Sequence, residues 1–173
     1  MGRLGDKRVA VLAGEGYEDL ELWVPYYRLR EEGATVKLLG SGDGSYESKH
    51  GYPAETDGKV DDASPDDFDA VVIPGGRAPD SMRMHRPLVD FVANMAARGK
   101  IVAFICHAGS VAASADIVRG RRCTSWPSIR DDLRNAGAEW CDEEVVRDDN
   151  LISSRNPADL PAFCRTLVSA LAN

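Results

Sequence analysis

The chain has 173 residues, 28 acidic against 21 basic side chains and a formal net charge of −7, enough for one domain spanning 1–173 that buries roughly two thirds of its unfolded surface without a metal or disulfide staple. The acidic balance and the lack of a basic stripe exclude nucleic acid as the main partner, because phosphate binding needs clustered Lys and Arg. The opening residues hold no apolar run of signal-peptide length and no later window approaches a membrane span, so a cytoplasmic protein with no membrane partner is expected.

Val9, Ala10, Val11 and Leu12 predict a strand over 8–13, followed by a glycine turn and a helix over 19–32 that Gly33 terminates. Leu22, Tyr26 and Leu29 mark its inward stripe, and Pro25, which lacks an amide hydrogen, is expected to bend it near Glu21. A second strand over 35–39 completes a β-α-β opening with parallel pairing. Residues 41–56, rich in Gly and Ser, read as an excursion or hairpin. A strand over 70–73, a loop over 74–80 and a helix over 87–98 come next. The run Ile101, Val102, Ala103, Phe104, Ile105 then reads as a central strand covered on both faces. Beyond it are a short helix through Ala115, a strand over 121–124, a helix over 128–135, short strands around Val145 and Ile152, and a last helix over 158–171. This alternation implies an α/β fold: an open, mostly parallel sheet with helices on both faces.

Two common chemistries are ruled out by spacing. Gly14 and Gly16 suggest a dinucleotide fingerprint, but Asp19 stands where the third glycine belongs, and the second strand runs into Gly40 and Ser41 without an acid for a ribose. Cys106, Cys123, Cys141 and Cys164 are far apart, with no C-x-x-C pair and only three His, so neither a metal site nor disulfides are expected. Cys123, Cys141 and Cys164 adjoin predicted strands or the apolar side of the last helix and read as core.

Cys106 is different, because it stands where the central strand turns into a helix, the place of a nucleophile elbow. Ala108, Gly109 and Ser110 are small enough for the tight turn. The first free amides of the next helix are expected to favour thiolate over thiol; a packed cysteine ending a core strand is the competing reading. Glu18 and Glu21 lie three apart at a helix start, so they share a face and reach the crest of the sheet. Dipole preference alone accounts for Glu18, but less well for Glu21 between Leu20 and Leu22. A carboxyl in such surroundings has its pKa raised and can donate a hydrogen bond to a thiolate. Gly75 and Gly76, after the third predicted strand of the main sheet, offer amides at the same crest, and with the His107 amide these suit an oxyanion. Tyr17 and Trp126 are candidates for the substrate pocket wall, with simple packing as the alternative.

The ordered set Tyr17-Glu18-Asp19-Leu20-Glu21-Leu22 with Val24-Pro25, Lys49-His50-Gly51, Pro74-Gly75-Gly76-Arg77-Ala78-Pro79, Ile105-Cys106-His107, Thr124-Ser125-Trp126-Pro127 and Arg155-Asn156-Pro157 resembles the PfpI branch of the DJ-one/PfpI superfamily over nearly the whole chain. The resemblance implies a flavodoxin-like three-layer sandwich, a homo-oligomer, no cofactor and no metal. It implies Cys106 as nucleophile, His107 beside it, Glu21 as the carboxyl paired with the thiol and Glu18 as its companion. Asp80 matches an acid, often Glu in the family, that reaches a neighbouring subunit's site; it is one methylene shorter here. Ala108, Gly109 and Ser110 replace the family's usual Gly-Pro after Cys-His. The implied activity is glyoxalase III or protein deglycase chemistry on a small aldehyde, dicarbonyl or glycated protein. The alternatives are an intracellular cysteine peptidase and an oxidative-stress sensor or chaperone using the same cysteine.

Overall fold

The chain begins, in the computed structural model, with β1 (Arg8–Leu12), α1 (Asp19–Glu31) and β2 (Thr35–Gly40); residues 2–42 and 44–173 are described. The excursion is the antiparallel hairpin of β3 (Ser45–Glu47) and β4 (Pro53–Glu55); residue 43, also within the predicted excursion, lies outside the described residues. Then come β5 (Gly58–Lys59), β6 (Ala70–Ile73), α2 (Ala78–Met82), α3 (Arg86–Ala97) and β7 (Ile101–Ile105). The last part holds α4 (Gly109–Ser114), β8 (Arg122–Cys123), α5 (Arg130–Asn135), β9 (Glu139–Trp140), β10 (Val146–Asp148), β11 (Leu151–Ser154) and α6 (Leu160–Ala172).

The main sheet has the order β10-β11-β7-β6-β1-β2-β5, parallel throughout except for β10 on the edge. Strands β6 and β7 lie inside this sheet, and every residue of β6 is buried, as continuous apolar runs require. Helix α1 packs on α6, while α2 and α3 pack on α4, so the sheet is the middle of three layers.

Two expectations need correcting. The loop after β6 contains a helix, α2, because Ala78 and Pro79 open a turn that places Met82 in the core. The strand near 121–124 is only β8, paired in parallel with β9 in a small separate sheet.

The ends of β1, β6 and β7 carry the segments 14–18, 75–77 and 106–108 to one crest. Backbone bonds knit them: Glu18 N–H donates to Gly75 O at 3.1 Å, Arg77 N–H to Gly16 O at 2.8 Å, and Trp126 N–H to Cys106 O at 3.3 Å. The segment joining β11 to α6 is locked by Arg155, which donates from its backbone N, Nε and Nη2 to buried Asp159 at 3.0, 2.9 and 3.0 Å. We expect Asp159→Ala to lower stability by about 2 kcal/mol in urea melts, because it leaves these donors without their acceptor. An unchanged midpoint would show that the clamp contributes nothing.

Candidate active site

Strand β7 reaches Ile105 in extended backbone, φ −133°, and Cys106 then swings to φ +62°. A residue with a β-carbon rarely adopts this left-handed region, and such strain persists only where surrounding structure enforces it. A single 3-10 turn over 106–108 leads into α4. The bend lifts the sulfur off the sheet end into a cavity of about 340 Å³ lined by Glu18, Glu21, Lys49, Gly76, Arg77, Cys106, His107, Trp126 and Pro157.

Glu21 is fully buried in the first turn of α1. Glu18 caps that helix, its Oε2 accepting from Glu21 N–H at 2.9 Å, and so sets where the turn begins. Glu21 Oε2 accepts from Gly75 N–H at 2.8 Å, while Oε1 has no hydrogen-bond partner of ordinary geometry among the described residues. The carboxyl lies against the Cys106 thiol. Gly75 makes this approach possible: a β-carbon there would fall 2.5 Å from Glu21 Oε2 and 2.8 Å from Cys106 Cβ.

Burial pushes Glu21 up to about 7, against the Gly75 hydrogen bond and with help from Glu18. Burial and the neighbouring Glu21 charge push the Cys106 thiol up to about 12, against the backbone amides of His107 and Gly76 that point at the sulfur. The expectation of a thiolate at rest is therefore corrected. The following helix is one short turn removed, only two amides reach the sulfur, and an ionised carboxylate beside it opposes a second negative charge. The pair holds one charge near neutrality, and its two forms differ by the transfer of one proton from sulfur to carboxylate.

His107 reaches the sulfur although it is the next residue: Nδ1 lies 3.4 Å from Cys106 Sγ, and Nε2 lies 3.3 Å from Ser128 Oγ. Burial, then the Lys49 charge, lowers its pKa, which keeps the ring a proton acceptor at neutral pH. Ser128 escaped the sequence reading because nothing in local spacing ties the 127–129 turn to residue 107. Trp126, 40% exposed, forms a wall of the cavity beside the His107 ring.

Two other candidates sit differently from expectation. Tyr17 does not line the cavity: it is fully buried, its hydroxyl donating to Tyr52 O at 2.6 Å and accepting from Trp23 Nε1 at 3.1 Å. The Gly75 amide is occupied by Glu21, leaving the amides of Gly76 and His107 for a developing charge. Asp80 is exposed on α2 and makes no hydrogen bond to His107; both line a neighbouring cavity of about 450 Å³. Among the other thiols, Cys123 and Cys164 are core, but Cys141 is only half-buried, with Arg122 Nη2 3.7 Å from its sulfur.

Donor atoms of Glu18, Asp19 and His50 lie within 4.8 Å of one another. All three are engaged within the protein: Glu18 by the Glu21 amide, and Asp19 by Ser48 Oγ at 2.6 Å and His50 Nδ1 at 2.7 Å.

The sequence model of the DJ-1/PfpI family matches residues 7–170. The chain belongs to this family. It is 44% identical to deglycase PfpI of Pyrococcus furiosus over 164 residues, covering 95% of this chain and 99% of that one. It is 39% identical over 168 residues to protein/nucleic acid deglycase 2 of Escherichia coli, covering 95% and 98%. A two-domain Anabaena variabilis protein with DJ-1/ThiJ/PfpI-like and ferritin-like domains superposes with a TM-score of 0.94 at 41% identity, over 96% of this chain and 48% of that one. Among the described residues, no helix is long and apolar enough to cross a membrane.

The shared proton has a measurable signature. Alkylation of Cys106 by iodoacetamide is expected to rise as pH passes about 7, where Glu21 ionises and can take the thiol proton, and again only toward about 12. Glu21→Gln should erase the lower step. A single rise near the free-thiol value of about 8.5 in the wild type would refute the coupling.

Proposed function

We propose that this DJ-1/PfpI protein is a cofactor-independent cysteine enzyme that converts reactive dicarbonyls, or the adducts they leave on proteins, into hydroxy acids. The observation that carries the reading is the Cys106 sulfur on a strained elbow, touched by the Glu21 carboxyl, His107 Nδ1 at 3.4 Å and two backbone N–H groups. The deglycase names of the Pyrococcus furiosus and Escherichia coli relatives support it. We also take the protein as cytoplasmic, where a nucleophilic thiol stays reduced.

With methylglyoxal, the sulfur adds to the aldehyde carbon as its proton passes to the Glu21 carboxylate, giving a hemithioacetal. The amides of Gly76 and His107 receive the negative charge that grows on the former carbonyl oxygen. His107 then removes the hydrogen on the carbon bound to sulfur, and the proton returns to the adjacent carbon. The result is a thioester of a 2-hydroxy acid. Water hydrolyses it, releasing lactate and restoring the thiol. Each step is an addition, a proton transfer or a hydrolysis. Glu18 holds Glu21 in place, and Trp126 confines the substrate.

The peptidase alternative asks for a base oriented by a third group. His107 meets Ser128 at its far nitrogen rather than a carboxylate, and the cavity suits a small molecule better than an extended chain. In the deglycase reading, Cys106→Ser abolishes methylglyoxal loss, and Glu21→Gln lowers kcat by at least about 100-fold, the usual weight of a positioned general base. Wild-type protein that consumes neither methylglyoxal nor its adduct with N-acetyllysine would sink the proposal.

The family's homo-oligomer is part of the same proposal. Leu20, Val24 and Tyr27, respectively 51, 39 and 58% exposed, form an apolar stripe on α1, and Leu20 and Val24 line a groove with Leu160 and Pro161 of α6. Such a stripe suits a second copy of this chain. Sedimentation should show a species larger than one chain, reduced to monomer by Val24→Glu with Tyr27→Glu. A wild-type monomer at micromolar concentration would contradict it, and would leave Asp80 without a partner's site to enter.

A further inference from the structure

The rim of the Cys106 cavity carries two cations, Lys49 and Arg77, in a protein of net charge −7. Both are exposed, and neither makes an ion pair among the described residues, although ten other Arg and Lys residues do so. The carboxylates of the cavity, Glu18 and Glu21, lie deeper and are committed to the first turn of α1 and to Gly75. Asp80, in the neighbouring cavity that Arg77 also borders, makes no ion pair with it.

Their placement is built into the fold. Backbone bridges tie Tyr17 to Ser48 on one side and to Gly76 on the other, and Lys49 N–H donates to Tyr17 O at 2.9 Å. Arg77 N–H donates to Gly16 O, and the Arg77 side chain lies across Gly16. Gly16 has φ +73°, and a β-carbon there would fall 3.0 Å from Arg77 Nε. One fully buried tyrosine thus clamps together the two segments that carry the cations, and the nucleophile lines the same cavity. Cations held without partners beside a reacting centre attract anions and raise their local concentration there.

We propose that Lys49 and Arg77 form an anion-recognition rim, so that the site prefers carbonyl compounds bearing a carboxylate or phosphate group over neutral ones. The inference deepens the reading of this site, on which it rests for the attacking sulfur. The same rim would hold the carboxylate that the hydroxy-acid product acquires.

Iodoacetate and iodoacetamide test this without any turnover, so failure of the rim and failure of the enzyme reading are separable. They form the same S–CH₂ bond and release the same iodide, but differ by one negative charge. The ratio of their rate constants at Cys106, divided by that for N-acetylcysteine in the same buffer, is expected to be about ten. Lys49→Gln and Arg77→Gln should each lower it several-fold, and high salt should collapse it. Protection of Cys106 from iodoacetamide by acetate but not by inorganic phosphate assigns a carboxylate; the converse assigns a phosphate; protection by both assigns an anion of either kind. A ratio no higher than that of the free thiol, or one that survives both substitutions together, overturns the inference.

Discussion

One proton shared between the Glu21 carboxyl and the Cys106 thiol governs the rest of the site. Burial raises both groups; the Glu21 charge opposes ionisation of the thiol, while the hydrogen bond from the thiol favours the Glu21 carboxylate, so the pair passes through neutral pH with a single charge. That charge rests on oxygen until an electrophile arrives. Gly75 is what lets the pair exist, because any side chain there would stand between carboxylate and sulfur. Thiol and base are therefore brought together by the absence of an atom.

Holding Glu21 in this state has a thermodynamic consequence. Its value rises from 4.5 to about 7 on folding, so the folded chain keeps a proton that the unfolded chain has lost. The resulting contribution to stability is fully present below pH 4.5 and disappears as pH climbs through 7. Relative to a carboxyl that ionises equally easily in both states, the fold gives up on the order of 3 kcal/mol at alkaline pH. The strained backbone at Cys106 adds a further cost of about 1–3 kcal/mol. Strand β6, completely buried, and β7, buried from Val102 onward, are locked by parallel pairing and supply the rigidity that sustains both.

The apolar runs of β1, β6 and β7 were legible because a parallel sheet covered on both faces writes itself as unbroken hydrophobic sequence. Cys106 and Glu21 were legible for the same reason in reverse: each is a reactive group where apolar burial is otherwise unbroken. Helix α2 was hidden because Pro74, Gly75 and Gly76 signal a loop so strongly that the five residues of a short helix behind them pass unnoticed. Tyr17 looked like a wall residue because sequence order places it near the site, whereas its direction is set by bonds to Tyr52 and Trp23, far away in the chain or a turn further on. The charge state of the thiol was misjudged for a more general reason. Amide dipoles can be counted from a motif, but desolvation depends on everything packed around the sulfur.

That misjudgement bears on the choice between catalyst and sensor. Oxidation to sulfenic and then sulfinic acid follows thiolate character and exposure. A sulfur that is buried and protonated at rest presents little of either. Carbonyl addition asks for something else: a thiol proton that leaves as the carbon–sulfur bond forms, toward an acceptor already in contact. Because nucleophilicity increases with the basicity of the sulfur, a thiol with a high pKa is also the stronger attacker once its proton is gone. Contact with Glu21 thus turns the apparent handicap of a thiol near 12 into protection between turnovers and reactivity during them. On this ground the geometry suits a catalyst better than a sensor.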